Sequence, residues 1–203
     1  MNRLRDKSYG EERPLTMADR FGAWLSSVQI RRWVKSFRGL EVADIGCGYN
    51  AIFARTILHE VSGLKLFDIS LSPDLKSHPK VSAFEGDLAE TIRTIPKESF
   101  DVIMCLNVIE HLHNPDKVLG CFRPLLRNNG VCLINVPSWR GKWFLEFSAF
   151  KLGMSPKNEM DDHKFYFDVR DLWPRLVKAG FLPSNIKCYP NKFGLCVFAC
   201  CRK

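Results

Sequence analysis

The sequence predicts an α/β fold: a doubly wound, seven-stranded, mostly parallel sheet with one antiparallel strand, held between two helical layers as a three-layer sandwich. Three observations carry that expectation. From Leu40 onward short β-rich runs alternate with helical runs, a Gly-x-Gly turn closes the first strand, and the acids Asp44, Asp68 and Asp87 fall at successive strand ends.

The elements follow in order. Hydrophobic residues make up 46% and charged residues 26% of the chain, ordinary values for a folded protein. A length of 203 residues suits one domain over 1–203. After a polar arm over residues 1–14, residues 15–37 place Phe21, Trp24, Leu25 and Val28 at helical spacing with arginines between them, which predicts an amphipathic helix. The strands LEVADIG, LKLFDIS, VSAFEG, FDVIMCLNV and VCLINVP come next. Between them lie a helix over NAIFARTILHEV, a Pro-containing loop, a short helix and a helix from about Asn114 to Arg127. Pro124 and Pro174 fall inside helical patterns, where each predicts a kink or a helix start. Past VCLINVPS, an insert over 138–165 contains WRGKWFLEFSAFKLG, read as a helix. A helix near DVRDLWPRLVKAG and two strands, LPSNIKCY and GLCVFACC joined at Pro190-Asn191, complete the chain.

Charge and cysteine usage narrow the function classes. The net charge is +8, and the first 40 residues hold nine Arg or Lys against four acids, so an anionic partner would meet that end first. Eight cysteines occur without a C-x-x-C pair, and Cys105, Cys132, Cys196 and Cys200 sit in apolar runs, which predicts reduced, buried thiols. No apolar run approaches the roughly 18 residues of a membrane span, and MNRLRDKSYGEERP lacks a signal-peptide core, so a cytoplasmic protein is expected.

In a doubly wound sheet the ligand sits beyond the carboxyl ends of the strands. There Gly46 and Gly48 let the backbone turn sharply and approach a ligand, while Cys47 points back into the fold. The stretch from Gly46 to Ala51 also fits a dinucleotide fingerprint. The acids separate the two readings. Asp44 is badly placed for a pyrophosphate but suits an ammonium group, Asp68 suits a ribose diol, and Asp87 suits an exocyclic amine. Together they predict a cationic, phosphate-free nucleoside.

Those residues, with FDVIMCLNVIEHLHNP, VCLINVPS and the Ala-Gly-Phe at Gly180, resemble the class I S-adenosylmethionine-dependent methyltransferases, of Rossmann-like fold, from about Glu41 to Arg202. The resemblance implies S-adenosylmethionine as cofactor. It implies that Asp44, Gly46, Cys47 and Gly48 line the pocket for the donor's amino-acid part, that Asp68 with Ile69 holds the ribose, and that Asp87 with the backbone of Leu88 holds the adenine. Asn107 would also face the donor. The chain departs from the family where a Pro-Gly turn usually precedes strand five; here Asn128-Asn129-Gly130 stands.

His163 is a candidate base, set against a surface histidine without a role, and His111 is expected to shape the acceptor pocket. Certain quinone-ring relatives bind a divalent cation through an acid three residues before the Glu110-His111 pair, where this chain has Asn107; an amide weakens such a site, so no metal is expected. The insert's aromatics, Trp139, Trp143, Phe144, Phe147 and Phe150, leave three readings open: a core helix, a lid over an apolar acceptor, or a surface-binding helix. The expected acceptor is a small molecule, sugar or lipid-linked intermediate. A nucleic-acid methyltransferase using the basic N-terminal region, an NAD-binding oxidoreductase and a non-catalytic nucleoside-binding module remain alternatives.

Overall fold

The computed structural model describes residues 7–11, 17–143 and 164–203. Alternation along the central strands builds it. In β1 (Glu41–Ile45), Val42 packs into one apolar cluster while Ala43 and Ile45 pack into the other, because successive side chains of a strand point to opposite faces. A strand buried on both faces needs a helical layer on each.

Ile30 and Val34 of the first helical region, α1 (Met17–Trp33) and its exit, Ala54 and Ile57 of α2 (Ile52–Ile57), and Leu75 of α3 (Pro73–Lys76) cover one face. Ile92 beyond α4 (Leu88–Thr91), Val118, Leu119 and Phe122 of α5 (Pro115–Leu125), and Leu172 and Leu176 of α6 (Val169–Lys178) cover the other. The remaining strands are β2 (Gly63–Asp68), β3 (Val81–Glu85), β4 (Phe100–Leu106), β5 (Leu126–Pro137), β6 (Ile186–Asn191) and β7 (Cys196–Arg202). They form a seven-stranded sheet in the order β3-β2-β1-β4-β5-β7-β6. Only β7 runs against its neighbours, pairing antiparallel with β5 and β6. The expected three-layer α/β sandwich is therefore the observed one.

Several boundaries move. The fifth strand begins at Leu126 rather than after Gly130: Leu126 pairs with Phe100, the register then shifts, and pairing resumes at Val131 with Val102. Asn129 absorbs the irregularity in a left-handed conformation (φ 64°), so the Asn-Asn-Gly stretch is a bulge inside a strand rather than a turn before one. The last two strands are joined not at Pro190-Asn191, which lie inside β6, but over residues 192–195. Pro190 is tolerated because β6 is an edge strand, where a missing N–H breaks no ladder on the open side. Pro124 and Pro174 lie within α5 and α6 rather than at their starts.

The amphipathic helix forms over Met17–Trp33, but with the opposite face inward. Ser26, Ile30 and Val34 are buried, whereas Phe21, Trp24 and Val28 are more than half exposed, at 56%, 57% and 51%. Trp33 Nε1 donates to the Tyr189 hydroxyl (2.9 Å) and Gln29 Nε2 to Asn191 Oδ1 (2.9 Å), which tie the helix to the edge strand β6.

Candidate active site

The turn after β1 is built by backbone bonds to β2. The N–H groups of Gly46 and Cys47 both donate to the Phe67 carbonyl, at 2.7 and 3.2 Å, which folds the chain back across the end of the neighbouring strand. Gly46 (φ 68°) and Gly48 (φ 74°) take left-handed conformations that cost glycine nothing. Their missing side chains do different things. A Cβ on Gly46 would lie 2.3 Å from Val108 Cγ2, so the missing side chain leaves room for Val108. A Cβ on Gly48 would meet the Tyr9 carbonyl oxygen at 3.2 Å.

Asp68, at the end of β2, organises this loop. Its Oδ2 accepts from the Gly48 N–H (2.6 Å) and its Oδ1 from the Ile69 N–H (2.8 Å) and the Ser8 hydroxyl. Ser8 also bonds both backbone groups of Ser70 (2.7 and 2.8 Å), Glu11 accepts from the Ser70 hydroxyl (2.6 Å), and the Tyr49 N–H donates to the Tyr9 carbonyl (2.9 Å). Residues 8–11 thus form a strap across the glycine turn. The recess left between Tyr9, Gly10, Cys47, Gly48, Asn50, Ala51 and Ile52 is about 20 Å³, room for one water. From the sequence this arm is expected only as part of a basic end for an anionic partner, because nothing local in Ser8-Tyr9-Gly10-Glu11 announces contacts some sixty residues away.

Asp44 is buried, and burial, reinforced by the neighbouring Asp68 carboxylate, raises its pKa to about 7. The residues present fit S-adenosylmethionine on this ground: a buried acid held near neutrality beside a second carboxylate favours a ligand carrying positive charge, whereas a pyrophosphate would be repelled. Cys47, half-buried between the two acids, has its thiol pKa pushed far up by burial and by both carboxylates, so it packs as a neutral group.

Asp87 requires a correction. β3 ends at Glu85, and Asp87 lies two residues beyond as the exposed N-cap of α4, its Oδ1 accepting from the Glu90 N–H (3.1 Å). Any adenine amine would share that carboxylate with the cap. Leu88 follows as the first, half-buried residue of the helix.

Asn107 stands directly after β4, in a left-handed conformation (φ 56°), at the same edge. Its N–H donates to the Asn135 carbonyl and its Oδ1 accepts from Asn135 Nδ2, both at 2.7 Å. Asn135 Oδ1 lies 3.5 Å from Asn191 Nδ2, and Asn191 takes the Gln29 amide, so a chain of amides runs from α1 through β6 and β5 to the end of β4. This chain, too, lay outside the sequence reading, since each link joins different strands.

Glu110 is the group that sequence reading passed over in favour of His111. It is wholly buried, neither carboxyl oxygen has a hydrogen-bond partner among the described residues, and burial raises its pKa to about 8. Its charge would act on the thiols of Cys105 and Cys196. Its backbone carbonyl accepts the N–H groups of Lys164 and Phe165 (2.8 and 3.2 Å), which anchors the chain returning from the insert. His111, half-buried, has its carbonyl bonded by Lys164 Nζ (2.6 Å). His163, Phe144, Phe147 and Phe150 lie outside the described residues. Trp139 and Trp143 are exposed and, with Arg140, border a concavity of about 370 Å³. Among the described residues no three His, Cys, Asp or Glu side chains gather as a metal site, and all eight cysteines are free thiols.

A sheet of this order, with its glycine turn at the carboxyl edge, defines the Rossmann-like α/β fold class. Comparison with known proteins narrows it. A family model described as a methyltransferase domain matches residues 18–182. The chain is 31% identical over 168 residues to a ubiquinone biosynthesis O-methyltransferase of Paraburkholderia phymatum, covering 77% of this chain and 72% of that one. It is 33% identical over 103 residues to a probable S-adenosylmethionine-dependent methyltransferase of Mycolicibacterium smegmatis (49% of this chain) and 27% identical over 154 residues to a ubiquinone biosynthesis O-methyltransferase of Pasteurella multocida (67%). These matches span 39% and 63% of the lengths of those two relatives. Among solved structures, a methyltransferase from Archaeoglobus fulgidus superposes with a TM-score of 0.64 at 16% identity, over 89% of this chain and 94% of that one, and shares the fold. The chain belongs to the class I S-adenosylmethionine-dependent methyltransferase family, whose cofactor is S-adenosylmethionine.

Proposed function

We propose that residues 1–203 act as one methyltransferase unit that methylates an oxygen of a small, ring-bearing or lipid-linked acceptor. The observation that carries this reading is the similarity, over 77% of the chain, to a ubiquinone biosynthesis O-methyltransferase. The exposed Trp139 and Trp143 beside a concavity at the carboxyl edge support an acceptor with an apolar part.

The donor supplies a methyl group on a sulfonium whose departing thioether is neutral, so alignment and water exclusion matter more than a strong acid. In this reading Asp44 counters the donor's positive charge, Gly46, Cys47 and Gly48 frame its amino-acid part, and Asp68, with the Ile69 backbone, takes the ribose diol in place of the Ser8 hydroxyl. Leu88 and Asp87 flank the adenine, and Asn107, its Oδ1 held by Asn135, presents its amide N–H groups toward the donor. His111 lines the acceptor side, and His163 receives the proton of the acceptor hydroxyl at an imidazole nitrogen.

The test is incubation of the purified chain with S-adenosylmethionine and a series of catechols bearing alkyl tails of increasing length, read by product mass spectrometry. Methyl ethers whose yield rises with tail length are expected. Methylation of nucleic acid with none of the catechols, or retention of NAD in place of S-adenosylmethionine by calorimetry, would overturn the reading.

A further inference from the structure

The half of α1 that leads toward its N-terminus buries little: among its described residues before Ser26, none is buried. Gln29 reaches Asn191 and Trp33 reaches Tyr189, so the helix runs along β6, and its earlier residues lie toward the end of β6 marked by Asn191. That end is the carboxyl edge of the sheet, since Asn191 pairs with Cys196 and Cys196 with Pro137 at the end of β5. At 1.5 Å per residue, Met17 to Val28 extend about 18 Å past Gln29.

This overhang carries an apolar stripe. Met17, Phe21, Trp24 and Val28 recur every three or four residues on one face, 83%, 56%, 57% and 51% exposed, with the Phe21 and Trp24 rings stacked at 5.8 Å. Arg20, Arg31 and Arg32 border it, all exposed, and Lys35 and Arg38 follow. Arg31 also pairs with Glu60 (3.1 Å), leaving the stripe's margin basic overall. Phe193, 86% exposed in a left-handed conformation (φ 60°) at the tip between β6 and β7, lies at the same edge. Ser138 bonds the Gly194 carbonyl beside it (2.7 Å) and leads into the exposed Trp139.

We propose that this edge docks onto an anionic lipid surface through the Met17–Val28 face of α1. Charge complementarity selects that occupant. A helix with Phe, Trp and Met on one side and arginines along both margins seats its rings among acyl chains and its guanidinium groups among lipid phosphates. Two copies meeting stripe to stripe would instead oppose arginine to arginine. Docking would bring the carboxyl edge, where the reactants meet, against the bilayer; the value of this for a lipid-linked acceptor rests on the proposed function, but the docking itself does not.

The experiment is vesicle co-sedimentation of the full chain, without donor or acceptor, on phosphatidylcholine alone and on equal parts phosphatidylcholine and phosphatidylglycerol. The wild type is expected on the anionic vesicles, released by high salt, with tryptophan fluorescence shifted to the blue. The double variant Phe21→Ser, Trp24→Ser should bind at least about ten-fold more weakly with a nearly unchanged melting temperature, because both side chains are more than half exposed. Arg20→Gln with Arg32→Gln gives a second reading that leaves the apolar face intact, and should weaken binding several-fold. Equal binding by wild type and both double variants, no preference for the anionic vesicles, or a dimer in sedimentation velocity that the serine variant dissolves while vesicles go unbound, overturns the proposal. Any of those results leaves methyl transfer to a soluble catechol untouched, so the two readings fail separately.

Discussion

Replacing Glu110 by glutamine should remove a large part of the protein's loss of stability as pH rises from about 5.5 to 8. The Glu110 carboxyl has a pKa of about 8 in the folded protein, against 4.5 for an ordinary glutamate, because burial penalises its charged form. Between those values the folded state binds a proton that the unfolded state has released, so stability falls as pH rises and this contribution is gone above the folded pKa. At 1.36 kcal/mol per pKa unit, the loss between about pH 5.5 and pH 8 comes to about 3 kcal/mol from Glu110 alone. Asp44, raised from 3.8 to about 7, adds a loss of the same sign over a lower window. Glutamine keeps the shape and cannot ionise. Urea unfolding of the wild type and of Glu110→Gln under reducing conditions, repeated across that pH range, should give a markedly flatter midpoint curve for the variant, with only the Asp44 share remaining. At about pH 8 the variant should equal or exceed the wild type. Parallel curves would show that Glu110 is charged or solvated in the folded protein, and the burial argument would fail.

Gly46→Ala should destabilise the chain by about 2 to 4 kcal/mol, combining a left-handed backbone with a clash against Val108, and a change under 1 kcal/mol in urea would mean that the turn can relax. Ser8→Ala should tighten S-adenosylmethionine binding by about three- to ten-fold in calorimetry, since the ribose would no longer displace a hydroxyl from Asp68; weaker binding would make the strap part of the pocket instead. Asp68→Ala should weaken the donor by about 1 to 3 kcal/mol, and an unchanged affinity would remove Asp68 from the donor site.

The arrangement of strands was legible in the sequence because it follows from local rules. A strand buried on both faces must be a near-continuous apolar run, as in VIMCL of β4, and a helix must repeat its apolar residues every three or four positions. Hence the sheet, its helical layers, and the placing of Asp44 before the glycine turn and Asp68 at a strand end could be read residue by residue. The family resemblance followed from the same stretch, and so did the cofactor. Where sequence reading failed, the deciding contacts join distant parts of the chain. Spacing located the apolar stripe of α1 but could not say which face meets the sheet; Ile30 and Val34 won, because among the described residues the last turns of the helix are the ones that join a core cluster. Asp87 has the composition of a ligand-binding strand end, yet β3 stops two residues short and leaves it to cap α4. The Ser8 strap on Asp68, the amide chain from Gln29 to Asn107 and the burial of Glu110 each depend on elements that meet only after the sheet has closed. A sequence records which side chains are present and their period; which polar atoms lose water and which find a partner is decided by three-dimensional proximity, and that is where the pKa values and the chemistry of the site are set.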